Sequence, residues 1–337
     1  MMPIMTFIGN LGYVFVSITG GIFVLNGTLL IGGVQAFIQY TQQFSQPLVQ
    51  AAGIANTIQS AIASAERVFS LLDEDEETEE TPASIDTGAL KGDVSFKRVA
   101  FGYDKNVPVI RDLSLHAKEG QTIAIVGPTG AGKTTIINLL MRFYELNKGS
   151  IKVGGTDISE LSREQARSMF AMVLQDTWLF NGTIRENIAY GRDGATDEDI
   201  IRAAKAAYAD DFIRTLPDGY DTVLGEDAQN ISQGQRQLLT IARAILADPK
   251  ILILDEATSS VDTRTEMNIQ KAMNKLMANR TSFVIAHRLS TIKDADLILV
   301  MKNGDIIEKG SHEELLRENG FYADLYNSQF SREEAVS

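Results

Sequence analysis

Thr122-Ile123-Ala124-Ile125-Val126-Gly127-Pro128-Thr129-Gly130-Ala131-Gly132-Lys133-Thr134-Thr135 is the stretch that decides the fold. Thr122 to Val126 has the composition of a buried strand, and it runs directly into the pattern Gly-x-x-x-x-Gly-Lys-Thr. Thr135 to Phe143 then follows helical spacing. Strand, glycine-rich turn and helix in that order make a phosphate loop, because the glycines let backbone N–H groups close on an anion. Lys133 is placed to reach the outer phosphates of a nucleotide and Thr134 to ligate Mg²⁺.

Outward from that loop, short β-rich runs alternate with helical ones from Val94 onward, which predicts an α/β domain. Ile251-Leu252-Ile253-Leu254-Asp255-Glu256 is a second apolar strand, ending in two acids. The carboxyl ends of strands are where open α/β sheets bind ligands. Asp255 suits the shell of the metal, directly or through water, and Glu256 is placed to orient and deprotonate an attacking water. A phosphate loop and an acidic strand alone leave kinases, GTPases and motors open.

The next residues narrow the choice. Asn230-Ile231-Ser232-Gln233-Gly234-Gln235-Arg236-Gln237 stands ahead of the acidic strand and is followed by a helical run to Ala247. Ser259-Ser260-Val261-Asp262 follows that strand, and Phe283-Val284-Ile285-Ala286-His287 ends another. With Leu174-Gln175-Asp176, these segments resemble the ATP-binding cassette (ABC) family, in its order, over Val94 to Phe330. The resemblance implies a P-loop NTPase cassette of α/β class with a helical subdomain, which binds and hydrolyses ATP with Mg²⁺. It implies that two cassettes pair head to tail around two nucleotides. Gly127, Pro128, Thr129, Gly130, Ala131, Gly132, Lys133, Thr134 and Thr135 would hold the phosphates, and Tyr103, in Phe101-Gly102-Tyr103, would stack on adenine. Thr134, Gln175 and Asp255 would hold Mg²⁺, with Gln175 also sensing the attacking water. Glu256 would act as the base and His287 would bond the γ-phosphate. Ser232, Gly234 and Gln235 would cap the phosphates held by the partner, while Asp262 would link the two sites.

The beginning of the chain is of another kind. Residues 1–65 contain no Asp, Glu, Lys or Arg, and the first charge is Glu66. Ile4 to Leu25 would make about 33 Å of helix at 1.5 Å per residue, enough for a bilayer's hydrocarbon core. After a turn at Asn26-Gly27-Thr28, a second helix is predicted over 29–72. Gln35, Gln39, Gln42, Gln46 and Gln50 share one of its faces. Isolated amides are costly in lipid, so that face should meet either another helix or a polar path. Pro47 is expected to bend or loosen the helix. Residues 1–72 are therefore expected to form the end of a transmembrane domain, in two helices. Seven acids in the eight residues from Asp73 to Glu80 predict a solvated linker over 73–91, with the cassette over 92–337. Two spanning helices cannot enclose a pathway, so the chain is expected to be the end of a longer half-transporter.

Helices fused ahead of a cassette resemble exporters of the multidrug and lipid type, and Thr222-Val223-Leu224-Gly225-Glu226 resembles the exporter loop before the signature. The resemblance implies a protein integral to the cell membrane, in contact with the bilayer, its cassette cytoplasmic, moving a hydrophobic or amphipathic solute. Alternatives are a membrane-anchored ABC ATPase acting on a protein partner, or a peptide exporter. One position departs from the family: Gln233-Gly234 stands where Gly-Gly is usual. That departure, beside an otherwise matching site, resembles the competent half of heterodimeric bacterial exporters, so a second, different ABC half-transporter is favoured over a homodimer. The net charge of −13 argues against nucleic acid as a partner, since phosphate neutralisation needs a basic face. With no cysteine, disulfides and thiolate metal sites are excluded, and His116, His287 and His312 are too scattered to form a metal centre.

Overall fold

The computed structural model describes residues 2–74, 76, 80, 85–104, 107–174, 178–225, 228, 230–255, 262–286 and 289–329. The chain divides into two compact units, residues 1–79 and 80–337.

The first unit is a pair of helices, α1 (Met2–Leu25) and α2 (Ile31–Leu72), joined by a short turn. The helices pack closely at Gly20, where a Cβ would lie 2.6 Å from Val34 Cγ1. α2 runs unbroken through Pro47. Among the described residues only one helix is long and apolar enough to cross a membrane, over Phe7–Leu25 with mean hydropathy 1.7. α2 is the more polar of the two helices, with the five glutamines on one of its faces. The amides at 35, 39, 42, 46 and 50 are all exposed within the chain. Phe37, Tyr40 and Phe44 are exposed too, and helical geometry puts them on the opposite face.

The second unit is built on alternation along its strands. β3 (Thr122–Val126), β9 (Ile251–Asp255), β10 (Thr281–Ile285) and β11 (Leu297–Lys302) are buried along most of their length. With β6 (Phe170–Val173) and β12 (Asp305–Gly310) they form one sheet, in the order β12-β11-β3-β10-β9-β6. Every neighbouring pair is parallel except β11 with β12. Successive side chains point to opposite faces, and the two faces support different cores. Ala124, Val126, Leu252, Leu254, Val284 and Val300 pack with helices that include α8 (Gln233–Ala247) and α9 (Thr263–Met277). Ile123, Ile125, Ile251, Ile253, Phe283 and Leu299 pack on the other side, against α3 (Lys133–Leu140).

That second core is closed by an antiparallel sheet in which β1 (Val94–Phe101) pairs with β2 (Ile110–Ala117) and β4 (Lys148–Val153), and β4 with β5 (Thr156–Asp157), in the order β2-β1-β4-β5. Buried Ile136, Ile137, Leu139 and Leu140 join α3 to the same core as Val94, Phe96 and Ile151. The helix that follows the phosphate loop is thus fixed by apolar contacts on both sides. The expected α/β cassette with a helical subdomain is what the structure contains.

The acidic run ends in a contact rather than in solvent. Glu80 lies 2.9 Å from Arg142 and 3.2 Å from Arg163, and its carboxylate accepts the Arg163 backbone N–H. Farther along the expected linker, Lys250 Nζ donates to the carbonyls of Gly88 and Leu90.

Candidate functional site

β3 delivers the chain into a loop whose backbone only glycine tolerates at its two ends. Gly127 (φ +150°) lies so close to β11 that a Cβ would stand 2.3 Å from the Met301 carbonyl oxygen. Gly132 (φ +101°) caps α3 in the left-handed region, where a side chain would press on Ile110. Pro128, Thr129 and Gly130 are exposed at the crown of the loop. Ala131 N–H donates to Pro128 at 3.2 Å, and Gly304 N–H donates to the buried Ala131 at 3.1 Å. Nothing in the phosphate-loop pattern points to Gly304. Its only signal is Asn303-Gly304, the dipeptide of a tight hairpin turn.

Lys133 opens α3, and its ammonium donates to the Gly127 and Pro128 carbonyls at 2.7 and 3.1 Å. Burial pulls its pKa below the ordinary 10.5, and the negative charge of Asp255 opposes that shift. Asp255 stands at the end of β9, in register with Ile285, which is itself in register with Ile125 of β3. The loop, the lysine and the first acid therefore meet at the carboxyl edge of the parallel sheet. A helix leaves its first N–H groups without intrahelical acceptors, so the start of α3 with Lys133 favours an anion at this edge. Thr134 is exposed at the same end, while Thr135 is 5% exposed. The hydroxyl of Thr134 and the carboxylate of Asp255 are hard oxygen donors, the kind that Mg²⁺ takes in small number beside water and phosphate. The residues present fit that ion.

Tyr103 follows β1, half-exposed, with its hydroxyl 3.2 Å from Thr135 Oγ1. The structure thus brings the predicted base-stacking residue to the helix of the phosphate loop. The signature residues lie elsewhere in the fold. Ser232 caps α8, its hydroxyl accepting from Gln235 N–H while Gln235 Oε1 accepts from Ser232 N–H. Gly234 is buried and Gln233 exposed in the first turn of that helix. Asp262 caps α9 and accepts from Thr265 N–H at 3.0 Å, a bond that lowers its pKa. Gln175, Glu256 and His287, the three residues predicted to carry the chemistry, lie outside the described residues, as do Ser259 to Val261.

Comparison with known proteins gives this geometry its family. The ABC transporter family matches residues 110–259. The chain is 58% identical to the "Fatty acid ABC transporter ATP-binding/permease protein" of Mycobacterium bovis, over 96% of this chain and 51% of that protein. It is 48% identical to the "ATP-dependent lipid A-core flippase" of Desulfotalea psychrophila, over 97% of this chain and 57% of that one. A solved bacterial Atm1-family ABC exporter with ATP bound matches with a TM-score of 0.71 and 41% identity, over 90% of this chain and 53% of that one. The chain spans about half the length of the curated relatives it matches. An ATP-binding cassette follows a helical segment in this chain, and the chain belongs to the ABC transporter family.

Proposed function

We propose that this chain is the ATP-hydrolysing part of an exporter for hydrophobic or amphipathic compounds of the lipid type. The observation that carries the reading is the meeting of Lys133, the glycine loop and Asp255 at one sheet edge, in a chain whose relatives are named for fatty acid transport and lipid A flipping. The helical pair would be the end of the transmembrane domain, set in the cell membrane with the cassette on the cytoplasmic side.

In this reading α3 and Lys133 hold the outer phosphates of ATP, and Tyr103 stacks on the base. Thr134, Asp255 and Gln175 would hold Mg²⁺, which neutralises charge on the phosphates when bound. Glu256 would orient a water in line with the γ-phosphoryl group and take its proton, with His287 fixing the phosphoryl oxygens. Positioning and charge neutralisation then do most of the work. Ser232, Gly234 and Gln235 would close over the nucleotide of a second half-transporter, and Asp262 would join the two sites. The Gln233 side chain in place of glycine favours a partner that is not a second copy.

The test is ATP turnover by the purified full chain and its Glu256→Gln variant. Removal of a general base costs on the order of 10²–10⁴-fold in rate, while nucleotide binding should survive. An undiminished rate in the variant would overturn the assignment.

A further inference from the structure

Tyr103 is tied to the same helix that carries the phosphate-binding lysine. Its hydroxyl lies 3.2 Å from Thr135 Oγ1 and accepts from Asn138 Nδ2, also at 3.2 Å. Thr135 and Asn138 are three residues apart in α3, so they share one face of it. A phenolic hydroxyl can donate to the first while accepting from the second, so both bonds can be made together. Two aromatic neighbours hold the rest of the ring in T-shaped contacts. Phe101 and Tyr144 meet it with centroids 5.1 and 5.0 Å away, both at an interplanar angle of 84°. The backbone is held as well: Gly102 N–H donates to Asn147 Oδ1 at 2.8 Å, and a Cβ on Gly102 would fall 2.3 Å from the Val107 carbonyl oxygen. Tyr103 nonetheless remains 53% exposed.

We infer that Asn138 is a positioning residue for the base of the nucleotide, acting through the Tyr103 hydroxyl. This rests on the reading of Tyr103 as the base-stacking residue. Lys133 is the first residue of α3 and Asn138 the sixth, which separates them by about 7.5 Å along the helix axis at 1.5 Å per residue. One rigid helix therefore sets both ends of the site: the lysine end for phosphate and the amide end for the aromatic platform. A ring whose hydroxyl is already fixed loses less rotamer freedom when a base settles on it, and that freedom otherwise weakens binding. Asn138 touches neither phosphate nor base in this arrangement.

The experiment measures affinities of the full chain for ATP and for inorganic tripolyphosphate by calorimetry. Wild type, Asn138→Ala, Tyr103→Phe, the double variant and Tyr103→Ala are compared. Loss of one hydrogen bond that orders the platform should weaken ATP about three- to tenfold. Tripolyphosphate, which has no base, should bind Asn138→Ala as it binds wild type. Asn138→Ala should add no further loss when Tyr103 is already Phe, as two residues acting through one bond do not add. Equal weakening of ATP and tripolyphosphate would place the effect on α3 itself and overturn the inference, as would additive losses in the double variant. If Tyr103→Ala binds ATP as wild type does, the base-stacking reading falls and takes the inference with it. If Tyr103→Ala weakens ATP while Asn138→Ala does not, only the inference falls.

Discussion

Lys133 shows what the proposed phosphate site costs the fold. The ammonium is turned onto two carbonyls of its own loop, yet burial still lowers its pKa from 10.5, with Asp255 only partly restoring it. A lysine whose folded pKa is depressed destabilises the fold wherever it is charged. The penalty is full below the depressed value and disappears as pH rises through the window from there to 10.5. Lys133→Met removes the charge and keeps most of the stem. The nucleotide-free variant should therefore melt higher than wild type at neutral pH. The gap should close as pH rises toward the ordinary lysine value, and ATP binding should be lost at every pH. Thermal melts across that range, with and without ATP, check both parts; a variant that melts lower than wild type at neutral pH would contradict the argument. The loop around the lysine is a matter of single residues too. Gly127 and Gly132 were legible in the sequence as the fixed ends of the pattern, because only glycine fits there. Gly304 and Asn138 were not, since they act on the loop and on Tyr103 from a hairpin turn and from a later helical turn.

At the scale of elements, strands and signature helix follow their local patterns closely. β3 covers Thr122–Val126 and α8 covers Gln233–Ala247, as apolar runs and the Ser232 cap indicate. The acidic run does not follow its local pattern to the end. Seven like charges in eight residues repel one another, which predicts solvation, but Glu80 meets Arg142 and Arg163, whose positions a reading of nearby sequence cannot supply. Arg142 immediately follows the capping residue of α3, and its guanidinium also donates to the Leu161 carbonyl. Arg163 opens α4 (Arg163–Ser168), which leads into β6. The Glu80 side chain is 20% exposed and the two arginines are 9% and 16% exposed, so solvent screens this cluster less than a surface pair. Glu145 stays with both arginines if Glu80 is neutralised. Glu80→Gln should therefore cost about 1.5–3 kcal/mol, the range for a hydrogen bond to a charged group, read as an earlier unfolding midpoint in urea. No change in the midpoint would mean that the carboxylate is as well served by water as by the arginines.

For the whole molecule, the sequence divides into an uncharged beginning and a charged remainder, and the two halves obey different rules. In α2 the glutamines at 35, 39, 42, 46 and 50 stand on one face, with Phe37, Tyr40 and Phe44 on the other, all exposed within the chain. Water on both faces would leave the aromatic row without a reason, and lipid on both faces would leave five amides without partners, each at a cost of kilocalories. The arrangement that satisfies both has aromatics toward lipid and amides toward water or a polar neighbour. The chain contains no cysteine, so a single introduced thiol reports on one position without background. In lipid vesicles, Gln35→Cys, Gln39→Cys and Gln42→Cys should react with a water-soluble maleimide several-fold faster than Phe37→Cys, Tyr40→Cys and Phe44→Cys. In the denatured chain all six should react alike. Equal rates along both faces in vesicles would mean that α2 lies in a single solvent, and the two-faced arrangement would fall. Slow reaction at the glutamine positions alone would instead mean that they are packed against another helix, which is the second way of satisfying the same amides.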